Sequence, residues 1–514
     1  MNALAIQSPV SASHSLRTLL RGLIDDASFE RLPDITIDGI GLDSRKLVAN
    51  SMFIAVPGLQ GHGLDYALQA ASRGATVMLW QPDAERSAPA LPNVFALAVP
   101  GLSTLLGELA SRFYAQPSTA LEIAAVTGTN GKSTTAYLIA DAAERCGLAA
   151  GYSGTVGYGR INALHTATHT TPDVFSVHRQ LAELRDTGAQ VVGMEVSSHA
   201  LHQARIAAMC VDTAVFTNLS RDHLDYHGDM QAYGEAKALL FQWPELRHRV
   251  INADDAFGRE LLSRDSTAAL TTAYSCDAAR DLPYARVLRA GAVRLSAQGM
   301  ELDITGSFGN ATLRSALLGR FNAENLLAAL AVLVGWNVPL LQAVQVLQQA
   351  VAPPGRMELL QATNNGVTKR AVIDYAHTPD ALEKALTVLK QHAQGRVICV
   401  FGCGGDRDAG KRPQMGAVAA RLADQVVLTD DNPRSEDPAK IITAIQSGMT
   451  GLQGHPFTVQ HDRAKAIELA LQDAGEEDIV LIAGKGHEDY QIIGFEARYF
   501  SDREVALACL RRLG

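Results

Sequence analysis

Apolar residues in this chain gather into short runs separated by stretches with helical spacing. Ile35-Thr36-Ile37 and Met52-Phe53-Ile54-Ala55-Val56 come first, followed by Ile123 to Val126, Val191-Val192-Gly193-Met194 and Ala214-Val215-Phe216-Thr217. Ala371 to Asp374, Val397 to Phe401, Val426 to Thr429 and Ile479 to Ala483 complete the series. Runs of this kind fit strands covered on both faces, and their alternation with helices predicts βαβ units and a mainly parallel sheet. Helices are expected around Ala67 to Arg73 and Leu102 to Tyr114, and again from Asn325 to about Val351, where Leu, Ala and Val dominate. Pro353-Pro354-Gly355 then reads as a hinge. The pattern divides into three α/β segments.

Length and charge agree with that division and narrow the ligands. At 514 residues the chain exceeds what one hydrophobic core holds. Its net charge of -9 argues against nucleic acid or an acidic membrane surface as the main partner, which leaves small molecules. Cys146, Cys210, Cys276, Cys399, Cys403 and Cys509 form neither a dense framework nor the paired spacing of a zinc site, so reduced, mostly buried thiols are expected. No basic segment with an apolar core opens the chain, and its longest apolar run, Leu326 to Val334, is too short to span a bilayer. A cytoplasmic protein without membrane insertion is expected, and a monomer.

The strongest chemical signal is Thr127-Gly128-Thr129-Asn130-Gly131-Lys132-Ser133-Thr134, set between the run Ile123 to Val126 and a helix ending near Cys146-Gly147. A strand, a glycine-rich turn and a helix N-terminus make a phosphate cradle, with Lys132 reaching the β/γ-phosphates and Ser133 holding Mg²⁺. Val126 replaces the first glycine of the usual pattern, so the loop is a variant. Ligands in open α/β sheets bind beyond the carboxyl ends of strands, which singles out Glu195 in Glu195-Val196-Ser197-Ser198-His199 and His223 in Ser220-Arg221-Asp222-His223. The His223/His227 pair lacks the further ligands of a zinc site, whereas a carboxylate, a hydroxyl and an imidazole beside phosphates suit Mg²⁺. The expected fold class is therefore α/β in three domains. These are a small N-terminal α/β domain over residues 1–118, a central P-loop ATPase-like parallel-sheet domain over 119–352 and a C-terminal Rossmann-like domain over 353–514.

The phosphate loop, Glu195-Val196-Ser197-Ser198-His199, Gly319-Arg320-Phe321-Asn322-Ala323-Glu324-Asn325 and Pro354-Gly355-Arg356-Met357-Glu358 occur in one order along the chain. Together they resemble the Mur ligase family, the ATP-dependent amide-forming enzymes of peptidoglycan precursor synthesis, and the resemblance covers essentially the whole chain. It implies ATP and Mg²⁺, with Lys132, Glu195, His223, Lys237 and Arg356 as catalytic residues and Ser133, Glu195, His223 and Lys237 around the metals. It also implies that Lys237 is carbamylated. Gly128, Thr129, Asn130, Gly131, Lys132, Ser133, Thr134, Asn322, Asn325 and Asp374 would bind ATP.

The same resemblance assigns the other two substrates. Leu42, Ser44, Leu59, Gln60 and Gly61 would hold the uridine nucleotide of a UDP-muramoyl dipeptide, whose peptide runs past Thr170, Thr171, Ser197, Gln203 and Arg205. His169 stands where the family usually carries Asn. Asp431-Asn432-Pro433-Arg434 matches the signature of members that add diaminopimelate, with Arg407, Gly484 and Glu488 completing that site. The planar guanidinium of Arg434 can grip a distal carboxylate that lysine lacks. Two other readings compete: a folylpolyglutamate synthetase, and a non-catalytic scaffold that uses ATP only as a switch.

Overall fold

The computed structural model describes residues 13–58, 61–83, 86–87, 89–167, 169–264, 269–364, 366–449 and 457–513. The apolar runs from Met52 onward become buried strands of three principal sheets, whereas Ile35-Thr36-Ile37 yields only the short strand Thr36–Ile37, with Thr36 exposed, paired to His14–Ser15. The first holds four parallel strands in the order Gly39–Gly41, Ser51–Ala55, Ala75–Trp80 and Phe95–Ala98. Leu16, Leu19, Leu20, Leu109 and Phe113 pack against one of its faces.

The second sheet has 11 strands, and its middle is parallel. Across that middle run Ala150–Gly154, Val191–Glu195, Glu122–Thr127, Thr213–Phe216, His248–Asn252, Leu270–Ser275 and Arg286–Ser296. Antiparallel strands finish both edges, Gly157–Arg160 and Ala163–His165 on one side and Gly299–Gly306 and Ala311–Ser315 on the other. These edges qualify the expectation of a mainly parallel sheet. Arg294, Glu301, Asp303 and Arg314 pair across the second edge, where charge protects an exposed face.

The helical stretch expected from Asn325 to Val351 is two helices, Phe321–Gly335 and Leu340–Leu347, broken before Pro339, which cannot continue the first. The first is buried from Asn322 to Val334, apart from half-buried Glu324, because it packs on the sheet with the helices Lys132–Arg145 and Leu340–Leu347 against it, which explains its apolar composition. The third sheet orders Glu358–Asn364, Val367–Asp374, Ile479–Ala483, Val397–Phe401, Gln425–Leu428 and Phe457–Val459, with only the first pair antiparallel. Cys399, Cys403 and Cys509 are buried and the other three cysteines partly so; all six are free thiols. Among the described residues no helix is long and apolar enough to cross a membrane.

Candidate active site

Strand register brings the first site together. Glu122–Thr127 lies between Val191–Glu195 and Thr213–Phe216, with Glu195 opposite Val126 and Phe216 opposite Thr127. Three strand ends therefore open at one level, and the loop from Gly128 to Gly131 crosses them. A Cβ on Gly128 (φ 150°) would lie 1.9 Å from Thr217 Oγ1, and one on Gly131 (φ 85°) would lie 2.5 Å from Asn325 Oδ1. Thr129 N–H donates to Asn218 O at 2.8 Å and Asn130 N–H to Asn218 Oδ1 at 2.9 Å, which pins the loop to the next strand's exit. The helix Lys132–Arg145 starts without a side-chain cap, so its first N–H groups suit an anion.

Two cations bond this loop, and the charge of a third, Arg356, acts on one of them. Lys132 Nζ donates to Gly128 O at 2.9 Å and Thr129 O at 2.8 Å, and Lys237 Nζ donates to the same Gly128 O at 2.8 Å. Lys237 is 1% exposed and sits 4.4 Å from the Tyr233 ring centroid. Burial first, and the Lys132 charge second, push its amine well below the ordinary lysine range. Burial also lowers Lys132, against the pull of Glu195 and Asp222, and Arg356 adds to the lowering. Arg356 rests over the Tyr375 ring at 5.6 Å, and its buried Nε has no hydrogen-bond partner among the described residues. Cations bonded only to carbonyls, and one with an orphaned donor, fit a polyphosphate.

Ser133 and Glu195 form the oxygen side of the site. Ser133 Oγ donates to Glu195 Oε2 at 2.8 Å, while Oε1 accepts from Tyr152 OH at 2.5 Å and from Thr155 N–H at 2.7 Å. These hard oxygen donors fit Mg²⁺. His223 stands further out with a left-handed backbone (φ 52°), its Nε2 3.5 Å from Asp222 Oδ2 and its ring 5.0 Å from His199. Among the described residues no three His, Cys, Asp or Glu side chains form a closed metal cage. Such an arrangement suits a cation that completes its shell with phosphate and water.

The remaining nucleotide candidates are placed differently. Asn322 donates to Leu318 O and accepts from Asn325 Nδ2, both at 2.7 Å, and Asn325 Oδ1 accepts from Thr135 Oγ1 at 3.1 Å. These amides brace the loop from behind. Asp374 ends its strand and accepts from Met357 N–H at 2.8 Å, holding the hinge beside Arg356. Burial raises its carboxyl above the usual range. Thr134 lies partly exposed in the helix's first turn.

A second network joins the peptide candidates. Thr170 and Thr155 share a hydroxyl contact at 3.0 Å, and Thr171 Oγ1 donates to Glu195 O at 2.9 Å and accepts from Ser197 N–H at 3.2 Å. Arg205 donates to Thr171 O at 2.8 Å and to Gln203 Oε1 at 2.6 Å. In the first sheet's domain Leu42 is half-buried, Ser44 donates to Gln69 Oε1 at 2.6 Å, and Gly61 O accepts from Gly58 N–H at 2.7 Å. Leu59 and Gln60 lie outside the described residues.

The amino-acid candidates collect beyond the third sheet. Asp431, Asn432 and Pro433 are buried, whereas Arg407 is exposed. Arg434 (φ 51°) donates from Nη1 to Gly405 O at 2.7 Å, and its N–H bonds to Ile492 O at 3.1 Å. Lys485, a residue the sequence does not single out, is fully buried among Asp431, Asn432 and Glu488. Thr155, Tyr152, Asn218 and Tyr375 are likewise found only in three dimensions. Lys485 alone carries a local signal, a lysine between two glycines.

Known proteins match this architecture along the chain. The models for the Mur ligase family catalytic domain, the Mur ligase middle domain and the Mur ligase glutamate ligase domain match residues 36–114, 126–333 and 355–486. A Coxiella burnetii protein named UDP-N-acetylmuramoyl-L-alanyl-D-glutamate--2,6-diaminopimelate ligase is 44% identical over 96% of this chain and 99% of its own length. A Pseudomonas aeruginosa protein of the same name is 46% identical over 92% of this chain and 95% of its own length. A solved structure of a protein bearing that name superposes with a TM-score of 0.72 at 34% identity, covering 98% of this chain and 99% of that one. The chain belongs to the Mur ligase family.

Proposed function

We propose that this chain joins meso-diaminopimelate to the D-glutamate γ-carboxylate of UDP-N-acetylmuramoyl-L-alanyl-D-glutamate at the expense of ATP, as a cytoplasmic monomer in peptidoglycan precursor synthesis. The shared hold of Lys132 and Lys237 on one phosphate loop, with the Arg356 charge acting on Lys132, carries this reading. A carboxylate is a poor acyl donor. One of its oxygens attacks the γ-phosphorus of ATP, the bond to ADP breaks, and an acyl phosphate forms. The amine nitrogen of diaminopimelate then attacks the acyl carbon, phosphate leaves, and the nitrogen gives up a proton. Lys132 and Arg356 neutralise charge on the transferring group.

Ser133, Glu195, His223 and a carbamylated Lys237 would hold Mg²⁺, which supplies further charge neutralisation when bound. In this reading residues 1–118 bind the uridine end, 119–352 bind ATP and 353–514 bind the amino acid. Thr170, Thr171, Ser197, Gln203 and Arg205 guide the peptide, while Asp431, Asn432, Arg434 and Glu488 receive diaminopimelate. The test is an assay of purified protein with ATP, Mg²⁺, the UDP-muramoyl dipeptide and either diaminopimelate or lysine. ADP release that requires diaminopimelate, with the tripeptide product seen by mass, is the expected result. ADP release on folate substrates, or ATP binding without turnover, overturns it.

A further inference from the structure

We propose that Lys485 is the positioning residue of the amino-acid pocket, an inference that rests on the ligase reading above. Its Nζ donates to Asn432 Oδ1 at 3.1 Å and to Asp431 Oδ1 at 3.4 Å, and lies 3.6 Å from Glu488 Oε2. The side chain is 0% exposed, so it meets protein groups and not the incoming substrate.

The local sequence explains this inward placement. Gly484 (φ 116°) and Gly486 (φ 54°) flank Lys485, and both conformations favour glycine. A Cβ on Gly486 would lie 2.7 Å from Tyr375 Cβ, and one on Gly484 would lie 3.1 Å from Asp431 Oδ2. The loop can therefore press against both neighbours and turn the lysine beneath them.

Two consequences follow for the groups that receive the amino acid. Asn432 Oδ1 accepts from Lys485 and also from Ile492 N–H at 2.9 Å, so both acceptor positions are taken and Nδ2 faces Glu488 Oε2 at 3.3 Å. The amide has one orientation. Asp431 and Glu488 are like charges around a single ammonium, which offsets their repulsion and leaves Asp431 Oδ2 and Glu488 Oε1 outside its contacts. Glu488 Oε1 accepts from Tyr375 OH at 3.4 Å and keeps a further lone pair, so it and Asp431 Oδ2 can receive the ammonium of an amino acid. Lys485 thus acts on binding of the amine substrate and has no part in ATP chemistry.

The test compares full-length wild type with Lys485→Met and Lys485→Gln. Removing one partner of a buried charged group predicts a KM for diaminopimelate raised about 30-fold or more in Lys485→Met. KM for ATP and for the UDP-muramoyl dipeptide should stay within about threefold, and kcat should change less than KM. Lys485→Gln keeps a donor for Asn432 and should show a smaller rise. A folded variant with an unchanged KM for diaminopimelate, or one in which all three KM values rise together, overturns the proposal. Failure of both variants to fold also overturns it, because Lys485 would then be a residue of the fold. A wild-type enzyme without diaminopimelate-dependent turnover defeats the ligase reading instead.

Discussion

Lys132 and Lys237 donate to the same backbone oxygen, Gly128 O, at 2.9 and 2.8 Å. Two ammonium groups on one carbonyl repel, Lys237 buried and Lys132 half-buried, and loss of solvent already disfavours each charge. The more buried of the two can relieve the conflict by losing its proton, and a neutral amine can then attack carbon dioxide and release a proton to form a carbamate. We expect labelled bicarbonate to give a carbamate signal in the wild type that is absent from Lys237→Ala. Activity lost in that variant should return with short carboxylic acids. A fully active Lys237→Ala enzyme would show that the modification has no role.

Arg434 is held in a left-handed conformation, with Nη1 on Gly405 O and its backbone paired to Ile492 and Gly494. Holding a non-glycine residue there costs on the order of 1 to 3 kcal/mol, so the surrounding bonds must fix it. Arg434→Ala should reduce the preference for diaminopimelate over lysine by about 30-fold or more, the scale for truncating one partner of a hydrogen-bonded charge pair. The ratio of kcat/KM for the two amines measures this directly. An unchanged ratio would remove Arg434 from amine selection.

What was legible in the sequence followed strand ends. Glu195 stands at the end of an apolar run, where an α/β sheet exposes its ligand groups, so periodicity points to it; Lys132 is marked by the glycine-rich loop that follows such a run, and Asp431 only by the family resemblance. The edge strands from Arg286 to Ser315 escape because their buried residues, such as Leu302, Ile304 and Leu313, alternate with charged residues such as Arg294, Glu301 and Asp303 and so form no continuous apolar run. Tyr152 and Thr155 escaped for a related reason. Their role is a contact to Glu195 that depends on strands Ala150–Gly154 and Val191–Glu195 being neighbours, and spacing along the chain carries no trace of it. Lys485 is not singled out by the sequence, because only the fold shows it buried.

Gly128 offers a steric test of the phosphate loop. Thr217 Oγ1 donates to Asn130 O at 2.6 Å, so it cannot yield easily to a Cβ placed 1.9 Å away. Gly128→Ala should cost about 1 to 3 kcal/mol of stability through overpacking. It should also raise KM for ATP by about tenfold or more, since loop displacement moves the N–H groups that meet phosphate. KM for diaminopimelate should hold. Thermal unfolding and steady-state kinetics give both readings, and an unaltered KM for ATP sinks the loop's assigned role.

His392 fastens the third sheet's domain to the segment that braces the loop. Its Nε2 accepts from Gly319 N–H at 2.8 Å and its Nδ1 donates to Ser296 O at 2.7 Å. An accepting Nε2 requires the neutral ring, because protonation would set one N–H against another. Burial, opposed by the Ser296 carbonyl, keeps the ring below the ordinary 6.5. The unfolded chain therefore binds the extra proton more readily in that window. The contribution to stability is complete above about pH 6.5 and is lost as pH falls from there through the folded value. We expect the unfolding temperature of the wild type to drop more steeply than that of His392→Gln between about pH 7.5 and 5.5. Parallel slopes would mean that the contact carries no proton linkage. Because Gly319 begins the turn that positions Asn322 and Asn325 behind Gly131, the KM for ATP should rise over the same acidic range in the wild type and less so in the variant.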